Sequence, residues 1–206
     1  MGRSSNSRNR IFTYNNGILL TEVADSSMVE DPSLIIYNAM RDMDGCIVVS
    51  NGKHTDIICE GLEDGKSFYT ALNSEKYEPD APNYTPRISG IIQREEGSMV
   101  LSIISKSVFS IEQSEHRFCR YTDINPGYGY CLTTYMGDGN TLPPFKGEPL
   151  LLPLKGNAEK IANFYWQELN QDNRISLAVR ELTQTGEDQL KIINRNQVKS
   201  ENDQSL

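Results

Sequence analysis

Along most of this chain apolar residues, many of them β-branched or aromatic, cluster in short runs separated by Gly, Asn, Asp and Pro. That is the pattern of half-buried strands joined by turns. It predicts strands at Ile11–Tyr14, Ile18–Ala24, Leu34–Arg41, Cys46–Ser50, Arg87–Arg94, Met99–Lys106, Arg117–Asp123, Tyr130–Met136, Ile175–Leu182 and Leu190–Asn194. Met43-Asp44-Gly45 and Glu95-Glu96-Gly97 place a glycine where a tight antiparallel connection needs positive φ. Asn51-Gly52 reads as a hairpin turn joining Cys46–Ser50 to Ile57–Cys59. Two stretches carry helical spacing instead. Ser67 caps a short segment with Phe68, Ala71 and Leu72 on one face. Asn157 caps a longer one whose apolar stripe is Ala158, Ile161, Ala162, Phe164, Tyr165 and Leu169. Many hairpins with few helices predict an α+β fold in which helices cover antiparallel sheet faces.

The 206 residues are enough for one shared core without staples. Residues 1–194 are read as one domain. The polar stretch 195–206 has only Val198 and Leu206 to bury and is expected to be disordered. No apolar run approaches the roughly 18 residues that span a bilayer, and the first ten residues have no secretory apolar core. A cytoplasmic protein without a membrane partner is the expectation. A net charge of -8 and a pI near 4.9 exclude bulk nucleic-acid binding, since the overall field repels phosphate. Arg3, Arg8 and Arg10 nonetheless leave a local basic patch at the start. Four scattered cysteines without a CxxC pair, with only His54 and His116 as imidazoles, predict reduced thiols and no metal centre.

Five segments hold more polar chemistry than their strands require. GRSSNSRNR, residues 2–10, has three guanidiniums that can grip a phosphate bidentately, or it is a frayed basic terminus. LIIYNAMR, residues 34–41, sets Tyr37 and Arg41 on one strand face, which serves a ligand or a plain solvated surface. In SNGKHTD, residues 50–56, His54 beside Asp56 reads as a satisfied surface pair, because no nucleophile accompanies it. YEPDAPNYTPRISG, residues 77–90, has three prolines that forbid helix. They make a stiff extended loop that delivers Arg87 to a strand, or simply a solvated crossover. TTYMGDGNTLPPF, residues 133–145, is a strand end breaking into a turn, where binding groups and ordinary turns are both common.

Taken in order, MGRSSNSRNR, DPSLIIYNAMR, VVSNGKHTD, YEPDAPNYTPRISG and TTYMGDGN resemble the archaeal-type inosine monophosphate (IMP) cyclohydrolase family, including its bacterial members, over nearly the whole chain. NYTPRISG is the strongest single match. The resemblance implies stacked antiparallel sheets flanked by helices, similar to N-terminal-nucleophile hydrolases. It implies closure of the last purine ring: the carboxamide nitrogen of formamidoimidazole carboxamide ribonucleotide (FAICAR) attacks the formyl carbon, and water leaves to give IMP. No cofactor and no metal are implied, and the partner is a small purine nucleotide.

By the same resemblance, Arg10 and Arg87 hold phosphate or orient the base, and Glu78 draws the proton from the attacking amide. Tyr37 and Asn51 donate to the formyl oxygen, while Asn38 and Tyr135 order ribose or base. Family members carry at least one strand ahead of the RSSNSRNR segment, so about ten to twenty residues are expected to be missing here by typical strand lengths. Either Met1 is an internal methionine or the protein is shortened. Such a loss opens a sheet edge and favours strand exchange, which admits a homo-oligomer. Two other readings compete. One is a nucleotide-binding, catalytically impaired relative, distinguished by FAICAR binding without IMP formation. The other is an amidohydrolase, which needs a mature N-terminal Cys, Ser or Thr where this chain has Gly2.

Overall fold

A computed structural model describes residues 5–29, 35–122, 125–137, 141–183 and 187–197. In chain order the elements are α1 (Ser5–Arg8), β1 (Arg10–Asn15), β2 (Ile18–Val23), β3 (Tyr37–Met43), β4 (Cys46–Ser50), α2 (His54–Glu63), α3 (Phe68–Ala71), β5 (Arg87–Gln93), β6 (Ser98–Lys106), β7 (Ser114–Tyr121), β8 (Tyr128–Cys131), β9 (Leu150–Pro153), α4 (Ala158–Glu168), β10 (Ser176–Glu181) and β11 (Gln189–Asn194). The composition is α+β, with antiparallel strands and few helices. The chain divides into two units, residues 1–37 with 154–206 and residues 38–153.

In the first unit β1 and β2 form a hairpin whose register runs from Arg10↔Val23 to Asn15↔Ile18. Its turn, Asn16-Gly17, has φ of 47° and 81°, a region that Asn and Gly tolerate best. β10 and β11 pair from Ser176↔Asn194 to Glu181↔Gln189. They meet β1 through a reciprocal clasp: the Phe12 amide donates to Asn194 Oδ1 and Asn194 Nδ2 donates to the Phe12 carbonyl, both at 2.9 Å. Asn157 caps α4 as expected, its Oδ1 accepting from the Lys160 amide at 3.1 Å. Phe164 departs from the expected stripe and is 49% exposed. At 100° per residue it sits roughly 115° from the centre of the arc shared by Ala158, Ile161, Ala162, Tyr165 and Leu169, outside the face turned to the hairpin. The chain stays bonded past β11: the Arg195 amide donates to the Ile175 carbonyl at 2.8 Å and Asn196 Nδ2 to the Arg8 carbonyl at 2.7 Å. The rest of the expected tail, residues 198–206, lies outside the described residues, as do Arg3, Leu34, Asp123 and Asp138 to Asn140.

In the second unit β3 to β7 pair antiparallel, each with the next. The glycines at 45 and 97 take φ of 74° and 60° in the two tight turns where the sequence places them. One sheet face packs against α2 and α3. Val48, Ile91, Val100 and Ile104 pack there against Ile58, Cys59, Phe68 and Leu72 from α2 and α3, with Ser67 capping α3. Cys59 is buried on α2, and burial pushes its thiol up to about 12, far from reactive thiolate. All four cysteines are free.

Three expectations in this unit are corrected. Asn51-Gly52 is not a hairpin turn; residues 54–63 are the helix α2, and β4 takes β5 as its partner instead. Helical spacing wins there because Thr55, Ile58, Cys59 and Leu62 line one face, so only a helix buries all of them against the sheet. The strand expected at Tyr130–Met136 is displaced to Tyr128–Cys131 and pairs with β9, whose Leu-rich sequence showed no alternation. Tyr135 makes only an isolated bridge to Pro144. The strand expected from Leu34 begins at Tyr37.

Candidate active site

The proline-rich loop before β5 folds back on itself rather than running extended. The Glu78 amide donates to the Thr85 carbonyl at 2.9 Å, closing an eight-residue loop. Asp80 staples it from inside: Oδ1 accepts the Thr85 amide at 2.6 Å and Oδ2 accepts the Thr85 hydroxyl. Asn83 Oδ1 accepts the Leu142 amide at 3.1 Å, which ties the loop to the segment after β8. With both ends of the loop fixed, Glu78 faces Arg87 across its neck. Arg87 Nη1 donates to Glu78 Oε1 at 2.6 Å, and the two side chains are 23% and 26% exposed. Such a charged bond is short and strong for its class, and it stays within reach of solvent.

Asn51 sits opposite, at the end of β4, and its carboxamide acts as an extra rung of the sheet. Oδ1 accepts the Ile88 amide at 3.0 Å, while Nδ2 donates to the Pro86 carbonyl at 3.0 Å and to Thr134 Oγ1 at 3.4 Å. Both Nδ2 protons are thus engaged. The structure makes Asn51 the clamp that fixes where Arg87 enters β5, a different placement from a donor aimed at substrate.

Gly52 follows, and its missing side chain matters. A Cβ there would collide with Arg87 Nη1 and would lie 3.4 Å from His54 Nδ1. The Gly52 carbonyl is held by Ser50 Oγ at 2.8 Å and by the Thr55 amide at 3.2 Å, so the notch above it is rigid. His54 opens α2 and is 2% exposed, not the surface partner of Asp56 that its position in the sequence suggests. Its Nε2 meets the Ile88 carbonyl at 3.1 Å and must donate, which leaves Nδ1 as a lone pair with no hydrogen-bond partner among the described residues. Burial lowers its pKa to about 4, the Ile88 bond opposes this, and the Arg87 charge adds to the lowering.

The other residues singled out from the sequence fall into separate groups. Asn38 Nδ2 donates to Asp56 Oδ1 at 2.8 Å, beside the Arg41–Asp56 contact at 3.3 Å. Tyr135 Oη and Thr85 Oγ1 lie 2.6 Å apart, which places Tyr135 on the Glu78 loop. In the first unit, Arg10 Nε donates to the Ser7 carbonyl at 2.9 Å and Nη1 to Tyr37 Oη at 3.4 Å. Thr21 fixes the backbone of Tyr37, accepting its amide at 3.0 Å and donating to its carbonyl at 3.1 Å. Within each unit, then, guanidinium meets acid or phenol: Arg87 with Glu78 in one, Arg10 with Tyr37 in the other. Among the described residues no His, Cys, Asp and Glu side chains gather in threes as metal ligands.

Sequence reasoning missed Gly52, His54 and the Asp80 staple. The helical spacing of His54/Thr55, Ile58/Cys59 and Leu62 was the available signal for a buried His54. Nothing local marked Gly52 as a seat for a side chain 35 residues away.

A family model described as "IMP cyclohydrolase-like protein" matches residues 1–187. The chain is 28% identical over 165 residues to an IMP cyclohydrolase of Methanocaldococcus jannaschii, covering 78% of this chain and 72% of that protein. It is 30% identical over 134 residues to one from Methanosphaera stadtmanae, covering 62% and 60%. It is 28% identical over 133 residues to one from Thermococcus kodakarensis, covering 63% and 61%.

Proposed function

The chain belongs to the IMP cyclohydrolase-like family, and from that premise we propose that it closes FAICAR to IMP with release of water. The observation that carries the reading is the Glu78–Arg87 pair at 2.6 Å, held by a stapled loop and a strand end rather than by flexible chain. Ring closure needs a base for a weak amide nucleophile and a cation for an anionic substrate, and this pair supplies both.

In this reading Arg87 takes up the substrate anion or base from its seat beside Gly52, and Glu78 turns from the guanidinium toward the ligand. Glu78 then accepts the carboxamide proton as the nitrogen attacks the formyl carbon. One C–N bond forms and the formyl oxygen becomes a hydroxyl. Glu78 passes that proton to the oxygen to complete the hydroxyl; in the second step the C–O bond breaks, the formamido N–H proton moves through the carboxylate to the leaving hydroxyl, and water departs as the ring C=N bond forms. Tyr37 is the donor to the formyl oxygen: a phenol that accepts from the Arg10 guanidinium is a better donor through its own proton. Arg10 holds phosphate, Asn38 and Tyr135 order ribose or base, and Asn51 serves through its clamp on Ile88. No cofactor enters the chemistry.

The same reading treats residues 1–194 as one functional domain with an N-terminal-nucleophile-hydrolase-like arrangement, acting in the cytoplasm and open to homo-oligomerisation. The antiparallel strands with α2 and α3 on one face support that arrangement, and no helix of the described residues is long and apolar enough to cross a membrane. The test mixes the purified chain with FAICAR and follows IMP by absorbance against a protein-free control. Turnover that Arg87→Ala removes supports the proposal. FAICAR binding without IMP formation would instead mark a catalytically impaired relative.

A further inference from the structure

The imidazole of His54 is buried, yet one of its two nitrogens is unspent. Its tautomer follows from its neighbours: the Ile88 carbonyl has no proton to give, so Nε2 carries the hydrogen and Nδ1 presents a lone pair. A Cβ on Gly52 would lie 3.4 Å from that nitrogen and would collide with Nη1 of Arg87, so both groups border the same notch. Nη1 has two protons, and one goes to Glu78 Oε1 at 2.6 Å. A buried acceptor without a partner costs free energy, so a fold that keeps one beside a cation is using it. We propose that His54 is a positioning residue: its unpartnered Nδ1, bordering the Gly52 notch, receives the Arg87 guanidinium when Glu78 turns to the substrate, and so holds Arg87 in place during ring closure.

This rests on reading Arg87 and Glu78 as the reacting site. His54 touches neither substrate nor reacting atoms. It supplies a neutral acceptor that keeps Arg87 seated when substrate draws Glu78 away. Thr55 and Ser50 hold the notch floor through the Gly52 carbonyl, so the seat cannot drift to relieve the contact. Arg87 from β5 is the charged group acting on the ring, with Glu78 beyond it in the same ion pair.

Two substitutions separate the two nitrogens. His54→Gln keeps a donor at the reach of Nε2 for Ile88 and deletes the Nδ1 acceptor. His54→Asn keeps an acceptor at the reach of Nδ1 and deletes the Ile88 bond. The expected result for FAICAR closure is a fall of about 10–100-fold in kcat for the Gln variant at unchanged urea midpoint, since small misplacements of catalytic groups cost that much. The Asn variant loses stability but stays within a few-fold of wild-type kcat per folded molecule. Wild-type kcat in the Gln variant, or equal losses in both, overturns the proposal by making His54 a strand clamp only. A second readout needs no turnover. NMR titration of the His54 ring, identified by its loss in the Gln variant, should shift to higher pH in Arg87→Gln, because a neighbouring cation is removed. An unmoved midpoint refutes the coupling. If the wild-type chain fails to turn over FAICAR while this shift is present, the functional reading falls and the His54–Arg87 seat stands.

Discussion

Gly52→Ala isolates the seating of Arg87 from the stability of the fold. The new Cβ would occupy the space of Nη1, the far end of a flexible side chain, and would meet His54 Nδ1 at an ordinary 3.4 Å. Arg87 can swing aside cheaply, and the φ of Gly52 is not in the region reserved for glycine. Reduced chain entropy in the unfolded state returns about 0.4–1 kcal/mol, offsetting much of what the displaced ion pair loses. Net stability should therefore change by no more than about 1 kcal/mol. Activity should not be spared. Displacing Arg87 removes one charged hydrogen bond, worth roughly 1.5–3 kcal/mol, from the substrate or transition state. At 1.36 kcal/mol per decade that is about a 10- to 150-fold loss in kcat/KM. The assay pairs urea unfolding with FAICAR closure kinetics on the same preparation. An unchanged kcat/KM would refute the argument that the notch exists to seat Arg87. A large stability loss that accounts for the activity loss would refute it equally.

Asn51→Ala should behave in the opposite way, losing about 2–4 kcal/mol in urea unfolding because the Ile88 amide and Pro86 carbonyl both lose partners; a loss under 0.5 kcal/mol would deny the clamp. Stability should also fall on acidification. His54 is neutral when folded, with a pKa of about 4, and its unfolded value is near 6.5, so the unfolded chain binds the extra proton. The stabilisation is fully present above pH 6.5, declines as pH falls through that value, and levels off near pH 4 after a loss on the order of 3 kcal/mol. His54→Gln should flatten that part of the urea-midpoint profile. Phe164→Glu should shift stability by no more than about 0.5 kcal/mol, since the ring lies on the exposed side of α4; a larger loss would return Phe164 to the stripe.

Strands such as β4 and β6 are readable from the chain because short apolar runs rich in β-branched residues, bounded by turn residues, suit a strand buried in a sheet. The helix at α4 is readable because its cap and its stripe both lie within one local window. What resists reading is decided at a distance. Asn51-Gly52 is a strong hairpin signal, but the core needs Ile58 and Cys59 on the sheet, and a helix delivers them. β9 shows no alternation and is a strand only because β8 pairs with it. The same holds at the site. Arg87 and Glu78 stand out as charged residues around a proline-rich loop, and they do meet. Asn51 stands out as a polar residue in a turn, yet its carboxamide is consumed by backbone groups of residues 86 and 88 that only the β4–β5 pairing brings near. Gly52 and His54 gain their meaning from an arginine beyond two intervening helices, which no local pattern encodes.

In the proposed ring closure Glu78 is the base and Arg87 holds the substrate. The most direct measurement compares wild type with Glu78→Gln for IMP formation from FAICAR, alongside the affinity of each for IMP. In Glu78→Gln kcat should fall by about 10²–10⁴-fold, the usual worth of a positioned base, while IMP affinity stays within a few-fold. A Gln variant that turns over like wild type would contradict that role.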